Sequence, residues 1–446
     1  MESFLNSNRD IVRTGRIDTR RNLLAYFTDI HFFNLGTYFA PVTVVLVALA
    51  ARLTDDNFLI GLISPAWGAG WALPQLIAAR LVHAKPRMKP YVVIPGLIGR
   101  QTFLIVALWL YFTKAENAVL TVWLLIAAVL VFAVADALAT VAWFDMMSRN
   151  ITARNRSRLF AISQFAASIF GVSIGLFVIT PIFSDSGLPF PMNYTFAIGM
   201  AWVCFFVSWM GVNFVREEDG EILTHPENVE TPHFGRLIWT ALRHDKVMLR
   251  VLLARLFTAF EFMVATFYIV FIQQRLNLPD SSTATLNIAL TIGSLIGLAG
   301  LGWVADRFGA HLVTKFASFT QCATPILAFI VATFPVIADT SPNLAIGIFV
   351  VVMALNGIVG HSLVLGFLNY ILEIAQPTHR AVYIGIFNTM HGLMALTPPL
   401  AGVFINIMSP LLSFNTTYSI LFGVVAILVA IGFAFSLRLP KSSSAP

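Results

Sequence analysis

The chain has 446 residues, of which 58% are hydrophobic and 11% charged, with a mean hydropathy of +0.80 and a formal net charge of +6. Soluble globular chains carry about one-quarter charged residues, so a water-soluble domain is excluded by composition. The basic surplus is spread over connections between apolar runs, which reads as an orientation signal in a bilayer and excludes a nucleic-acid partner.

Residues 1–22 are polar and Arg-rich and lead into an apolar run too long for a signal-peptide core, so a retained cytoplasmic segment is expected. Crossing ~30 Å of hydrocarbon takes about 20 helical residues, because each segment must satisfy its own backbone polar groups. The apolar runs predict twelve spans, at 23–49, 58–82, 91–113, 118–144, 159–182, 194–215, 249–274, 285–305, 312–337, 344–372, 381–407 and 416–437. They divide into a first half over 23–215, a linker over 216–248, a second half over 249–437 and a tail over 438–446. The linker opens with Glu217, Glu218, Asp219 and Glu221 and passes Pro226 and Pro232. There Phe234, Leu237, Ile238, Ala241 and Leu242 fall opposite Arg236, Arg243 and Lys246, the pattern of an amphipathic helix on a membrane surface.

Of the 28 basic residues, 23 fall on alternate connections. Only Arg52, Lys114 and Arg275 occupy the other side, while Arg100 and Arg255 lie within spans. Cytoplasmic connections retain Lys and Arg, so both termini and the linker are expected in the cytoplasm, with the chain in the cell membrane. Cys204 and Cys322 fall singly inside spans and read as packing residues, with no metal-ligand spacing and no cofactor motif.

The halves echo each other. Asp306-Arg307-Phe308-Gly309 after span eight matches Ala79-Arg80-Leu81-Val82 after span two, and Arg380-Ala-Val-Tyr-Ile opening span eleven matches Arg158-Leu-Phe-Ala-Ile opening span five. Similar displacements indicate duplication. Six spans per half place both in the same sense, giving an all-α protein of two six-helix parallel pseudo-repeats with any central site at their interface.

Twelve spans as six plus six, a long central loop and Gly302-Trp-Val-Ala-Asp306-Arg307-Phe-Gly309-Ala-His311 resemble the major facilitator superfamily, whose loop signature is Gly-x-x-x-Asp-Arg-x-Gly-Arg-Arg. The first half departs from it: Ala79 stands in place of the acid, and the tail reads His83-Ala-Lys85-Pro-Arg87-Met-Lys89. The resemblance implies alternating access to a central cavity lined by spans one, four, seven and ten. Spans two, five, eight and eleven would flank it, with three, six, nine and twelve as outer scaffold. The sugar-porter signature and the peptide-transporter acidic motif are absent, so no substrate subfamily is assigned. Gly171-x-x-x-Gly175 in span five reads as helix packing.

Five charged residues fall within spans: Asp29, Arg100, Asp136, Arg255 and Glu261. Each costs about 2.5–3.5 kcal/mol at a helix centre on insertion scales, so each calls for a partner or an aqueous cavity. Glu261 falls near the midplane, with His361 and His391 at similar depth. The resemblance places Asp29, His31, Asp136, Arg255, Glu261, His361 and His391 on cavity-side helices. Arg100, on scaffold span three, is expected to pair with Asp136. Glu261 is expected either to carry a coupling proton or to pair with Arg255 or His361. Asp29 is an alternative partner for Arg255. Asn34, Gln164, Asn287, Asn356 and Asn388 supply neutral polar groups, and Trp67, Trp71, Trp143, Tyr38 and Phe262 supply aromatic surface.

Matched acid–base pairs flank the cytoplasmic loops, Asp145 with Arg158 and Glu373 with Arg380, and Asp306-Arg307 adds a third. Together with Gly302 and Gly309 they make a candidate cytoplasmic gate. Exposed pairs contribute only ~0–1 kcal/mol, which suffices to bias a near-balanced equilibrium. The expected function is a secondary transporter of a small solute, with the proton as candidate coupling ion, acting as a monomer in the lipid bilayer. A non-transporting sensor or assembly factor on the same fold is the alternative. A membrane-embedded enzyme is the weaker one, since no His-Glu-x-x-His, nucleophile elbow or paired-Asp motif lies in a span.

Overall fold

The computed structural model describes residues 19–82, 86–184, 186–217, 245–279, 281–374 and 380–441, so nearly all of the expected linker helix lies outside the described residues. Eleven helices among the described residues are long and apolar enough to cross a membrane. The remaining expected span, the second, is Asn57–Ala72 followed by Gln75–Val82. Pro74 stands at the break, where its missing N–H interrupts the helical ladder. Span eleven is likewise divided, into Arg380–Met394 and Pro398–Met408. No strand occurs among the described residues.

Helix starts follow from side chains that satisfy otherwise orphaned N–H groups. Thr19 accepts from Asn22 N, Asp56 from Phe58 N, Asn117 from Leu120 N, Asp245 from Met248 N and Ser413 from Thr416 N. Span four runs over Ala118–Asn150, beyond its expected end at 144, and carries Asp145 and Arg149 past the apolar stretch. Between Phe308 and Ala310 a single residue, Gly309 at φ 87° and ψ 161°, turns the chain from span eight into span nine. Side chains are barred from that region, which accounts for the glycine of the Asp-Arg-x-Gly loop.

Several spans change helical pitch, which the apolar pattern did not predict. Five-residue π turns occupy Val42–Leu46, Gly175–Ile179 and Gly297–Leu301, and a longer one Leu363–Leu368. A 3₁₀ turn at Ala259–Glu261 separates Lys246–Thr258 from Phe262–Leu276 in span seven.

The core shows how the two bundles meet. One apolar cluster joins residues of both, among them Val45, Ile60, Leu110 and Tyr194 of the first and Phe271, Ala284, Ala401 and Tyr418 of the second. At the other end, the face where the described chain begins and ends, the core is split. Tyr26, Val92, Met146 and Val212 form one cluster in the first bundle, and Met248, Val251, Phe367 and Tyr370 form another in the second. The bundles are thus packed together at the far face and have separate cores at the terminal face.

Glycines allow the far-face closure. A Cβ on Gly402 would stand 2.2 Å from the Asn57 carbonyl oxygen, and one on Gly61 would stand 2.9 Å from that of Pro398. Hydrogen bonds from Asn57 N and Nδ2 to Asn406 Oδ1 (3.1 and 3.0 Å), and from Asn406 Nδ2 to Asp56 Oδ1 (2.6 Å), lock the same crossing. Ser64 meets Thr266 at 2.6 Å and Asn287 Nδ2 donates to the Tyr38 carbonyl at 3.1 Å, again across the bundles. Gly171 and Gly175 face Tyr38 and Ile288 too closely for any Cβ, in keeping with a packing role.

Candidate functional site

A cavity of about 360 Å³ opens inside the first bundle, within the size range of small-molecule sites. Span one contributes Asp29 and Asn34, span two Trp71, span three Arg100, span four Asp136 and Trp143, span five Gln164 and span six Trp209. Its inner wall, Ile30, Val92, Ala139 and Val212, belongs to the terminal-face core. Trp71 and Phe144 are exposed on its border, although both lie inside apolar spans. A second cavity of about 290 Å³ shares Asn34 and continues toward the far face, walled by Tyr38 and Trp67 of the first bundle and Leu290 and Ser294 of the second.

Within the first cavity the charges are arranged around Asp29. Its carboxylate accepts from Trp143 Nε1 at 2.7 Å and from the Ser208 hydroxyl at 2.6 Å, with Arg100 at 3.9 Å. Arg100 also donates to the Ser208 oxygen (3.2 Å) and to the carbonyls of Phe205 (2.9 Å) and Gly96 (3.2 Å). Arg100 is therefore within 4 Å of Asp29 and not of Asp136, although its charge also acts on the Asp136 carboxylate, and no ion pair within 4 Å joins Asp29 to Arg255 among the described residues. Small residues decide this: Gly96 and Ser208 leave room for the guanidinium to lie against the first helix. Asp136 lines the same cavity, with Trp71 and Thr140 beside it. His31 is absent from the cavity lining. It is buried at the packing of spans one and five, Nδ1 lying 3.4 Å from the Ser163 carbonyl and the ring stacked on Phe27.

The second bundle treats its charges differently. Arg255 is 1% exposed, with Nη2 2.7 Å from His391 Nδ1 and its guanidinium among the rings of Phe262, Phe367 and Phe387 at 5.3, 5.7 and 5.7 Å. A guanidinium only donates, so His391 Nδ1 must accept. Glu261, also 1% exposed, stands beside Thr324 and Asn356, and its Oε1 has no hydrogen-bond partner. Among the described residues no Glu261–Arg255 ion pair forms within 4 Å, although the two charges act on each other; Glu261 is the last residue of the 3₁₀ turn that follows the helix carrying Arg255. The side chains of His361 and Asn388 lie outside the described residues.

At the terminal face the expected pairing changes as well. Asp145 pairs with Arg149 on its own helix at 2.5 Å, one turn away, while Arg158 is exposed; an i, i+4 partner is simply nearer than one across the loop. Arg149 also donates to the Pro86 carbonyl at 3.1 Å. Glu373 Oε1 lies 3.4 Å from Ala310 N, capping span nine, and the Arg380 side chain lies outside the described residues. Asp306 and Arg307 are exposed, with Arg307 over the rings of Trp303 and Phe308, and Gly302 borders open space.

Sequence reasoning missed a tie at this face between spans one, three and six. Glu217 accepts from Met88 N (2.5 Å) and Lys89 N (2.7 Å), capping span three. Lys89 Nζ donates to the carbonyls of Asn213 (2.7 Å) and Val215 (2.9 Å), Arg21 Nε to that of Phe214 (2.8 Å) and Asn22 Nδ2 to that of Arg216 (3.1 Å). Lys89 near the C-terminal carbonyls of span six suits that helix's dipole, but its place at the start of span three gave no sign of this partner in the sequence.

Residues 27–396 match the Major Facilitator Superfamily, and with this fold the chain belongs to that family of membrane transport proteins. Among solved structures it resembles the nucleoside transporter NupG, at 13% identity and a TM-score of 0.61 over 93% of this chain and 99% of that one. A bacterial homolog of the human lysosomal transporter Spinster, inward-facing and unoccupied, matches at 15% identity and 0.60 over 97% and 100%. The D-xylose–proton symporter matches at 12% and 0.60 over 95% and 98%. Identities this low establish the shared fold alone. No curated protein matches the chain in sequence.

Proposed function

We propose that the chain is a secondary active transporter that moves a small solute by alternating access, with both termini and the 216–248 linker in the cytoplasm. The two halves, 23–215 and 249–437, are the rocking units. One observation carries this: the bundles share a continuous core at the far face and have separate cores at the terminal face, beside a charged, aromatic cavity. In the proposed orientation this is an inward-open state. The second cavity beyond Asn34 extends the path between the bundles. Glu261 is the candidate carrier of a coupling proton, which accords with a proton-coupled symporter among the structural neighbours.

The test is a ligand-stabilisation screen of the purified chain across sugars, organic acids, amino acids and lipophilic cations, followed by counterflow of the stabilising solute in proteoliposomes. A ligand that binds only the folded state raises the melting temperature, by about 2.7 kcal/mol of stabilisation at one hundred times its Kd. Counterflow is the expected result. A solute that stabilises the protein but never crosses would favour a sensor.

A further inference from the structure

We infer that the cavity of the first bundle takes an organic cation, with Asp136 as its counter-ion and aromatic rings as its walls. This rests on the transport reading above and names the solute class for that site. The cavity holds two carboxylates and one guanidinium. Asp29 is already served by Arg100, Ser208 and the Trp143 indole. Arg100 is in turn committed to Asp29, Ser208 and two backbone carbonyls. Trp71 and Thr140 stand beside the Asp136 carboxylate and Arg100 acts on it from a distance, yet among the described residues no Lys or Arg lies within 4 Å of it, so the cavity carries one more acidic than basic group.

The walls fit the same class. Trp143 spends its N–H on Asp29, and Trp209 spends its own on the Val93 carbonyl at 2.9 Å. These indoles therefore offer π surface and no free donor. With Phe33, Phe144 and Phe160 they make a lining that attracts a cation through ring quadrupoles, most strongly where water is excluded. A polyhydroxylated solute would find the Gln164 amide but few other groups to bond. Asn34 Nδ2 already donates to the Ile30 carbonyl at 2.7 Å, and the Thr140 hydroxyl donates to the Asp136 carbonyl at 2.7 Å. An anion would meet two carboxylates against one guanidinium in a medium of low dielectric, where like charges repel strongly.

The probes are tetraphenylphosphonium and tetraphenylborate, which share size and apolar surface and differ in the sign of charge. On the full-length purified protein, tetraphenylphosphonium is expected to raise the melting temperature and quench Trp fluorescence, with tetraphenylborate doing neither. Asp136→Asn should weaken the cation at least tenfold, and Asp136→Glu, which keeps the charge, should restore most of the affinity. The Glu variant keeps the test valid if Asn lowers folding. Equal responses to both probes, or full affinity in Asp136→Asn, would overturn the cation assignment. Counterflow of a neutral or anionic solute, blocked by Trp71→Ala, would overturn it while leaving transport standing. Charge-selective, Asp136-dependent binding without counterflow would uphold the cation site and refute transport.

Discussion

Replacing Gly402 by Ala should unseal the far face. The added methyl would lie 2.2 Å from the Asn57 oxygen, 2.6 Å from its carbonyl carbon and 2.8 Å from Phe58 Cα. All three are backbone atoms, so no rotamer relieves the contact, and spans two and eleven must separate by on the order of 1 Å to restore close packing. Overpacking of this kind costs about 1–3 kcal/mol. The separation also loosens the Asp56, Asn57 and Asn406 hydrogen bonds, each contributing about 0.5–1.5 kcal/mol. A penalty of 1–3 kcal/mol borne only by the sealed state shifts the balance of conformations by about 5–150-fold. Spin labels at Asp55 and Leu411, both exposed, in a Cys204→Ala, Cys322→Ala background would report the far-face distance. The expected result is a longer-distance population in Gly402→Ala and none in Gly347→Ala, where a Cβ meets nothing within 4 Å. An unchanged distribution in folded Gly402→Ala, or the same shift in both, would refute the far-face seal as the element that sets the conformational balance.

Asp29→Asn should lower stability by about 3–5 kcal/mol, because it leaves the buried Arg100 without its anion. Adding Arg100→Gln should recover part of the loss in a double-variant cycle, and strictly additive melting shifts would count against the pair. Glu217→Ala removes the acceptor for two backbone N–H groups of span three and should cost about 1–3 kcal/mol, with faster amide exchange at Lys89. Unaltered exchange there would remove Glu217 from the terminal-face tie. Glu261→Gln should abolish transport driven by a pH gradient while preserving counterflow, which needs no net protonation cycle. Normal gradient-driven transport by this variant would pass the proton role to Asp29 or Asp136.

The helices were legible because bilayer length and backbone satisfaction leave little choice, and the Asp306-Arg307-Phe308-Gly309 turn was legible because a positive φ demands glycine. Individual pairings were not. Arg100 was assigned to the scaffold by its span, yet its long side chain reaches past Gly96 to Ser208 and Asp29, and no span-level pattern encodes that reach. Asp145 found Arg149, a residue equally visible in sequence, because intrahelical proximity outweighed loop symmetry. Glu217 stands in the sequence as the first of the acidic residues that open the linker, whereas its carboxylate caps span three from 128 residues away. Such contacts depend on the rotation of each helix about its axis, which uniformly apolar spans leave unspecified.

The two bundles hold their buried charges in unlike surroundings. In the first, the carboxylates of Asp29 and Asp136 line a cavity. In the second, Glu261 is shut among Thr324, Asn356 and Tyr268, with its Oε1 and the Tyr268 hydroxyl lacking partners. Arg255 makes its close contacts with His391 and three phenyl rings instead, with no ion pair to Glu261 within 4 Å among the described residues. A proton cannot rest on His391 Nδ1 while that atom accepts from Arg255, so relay through this imidazole must begin with separation of the two. The 3₁₀ turn at Ala259–Glu261 follows the helix that carries Arg255 and has Glu261 as its last residue. A change of pitch there would rotate Glu261 relative to Arg255. Under the proposed coupling role of Glu261, a proton in the second bundle would draw on movement at this turn, whereas the solute site proposed in the first bundle already borders a cavity.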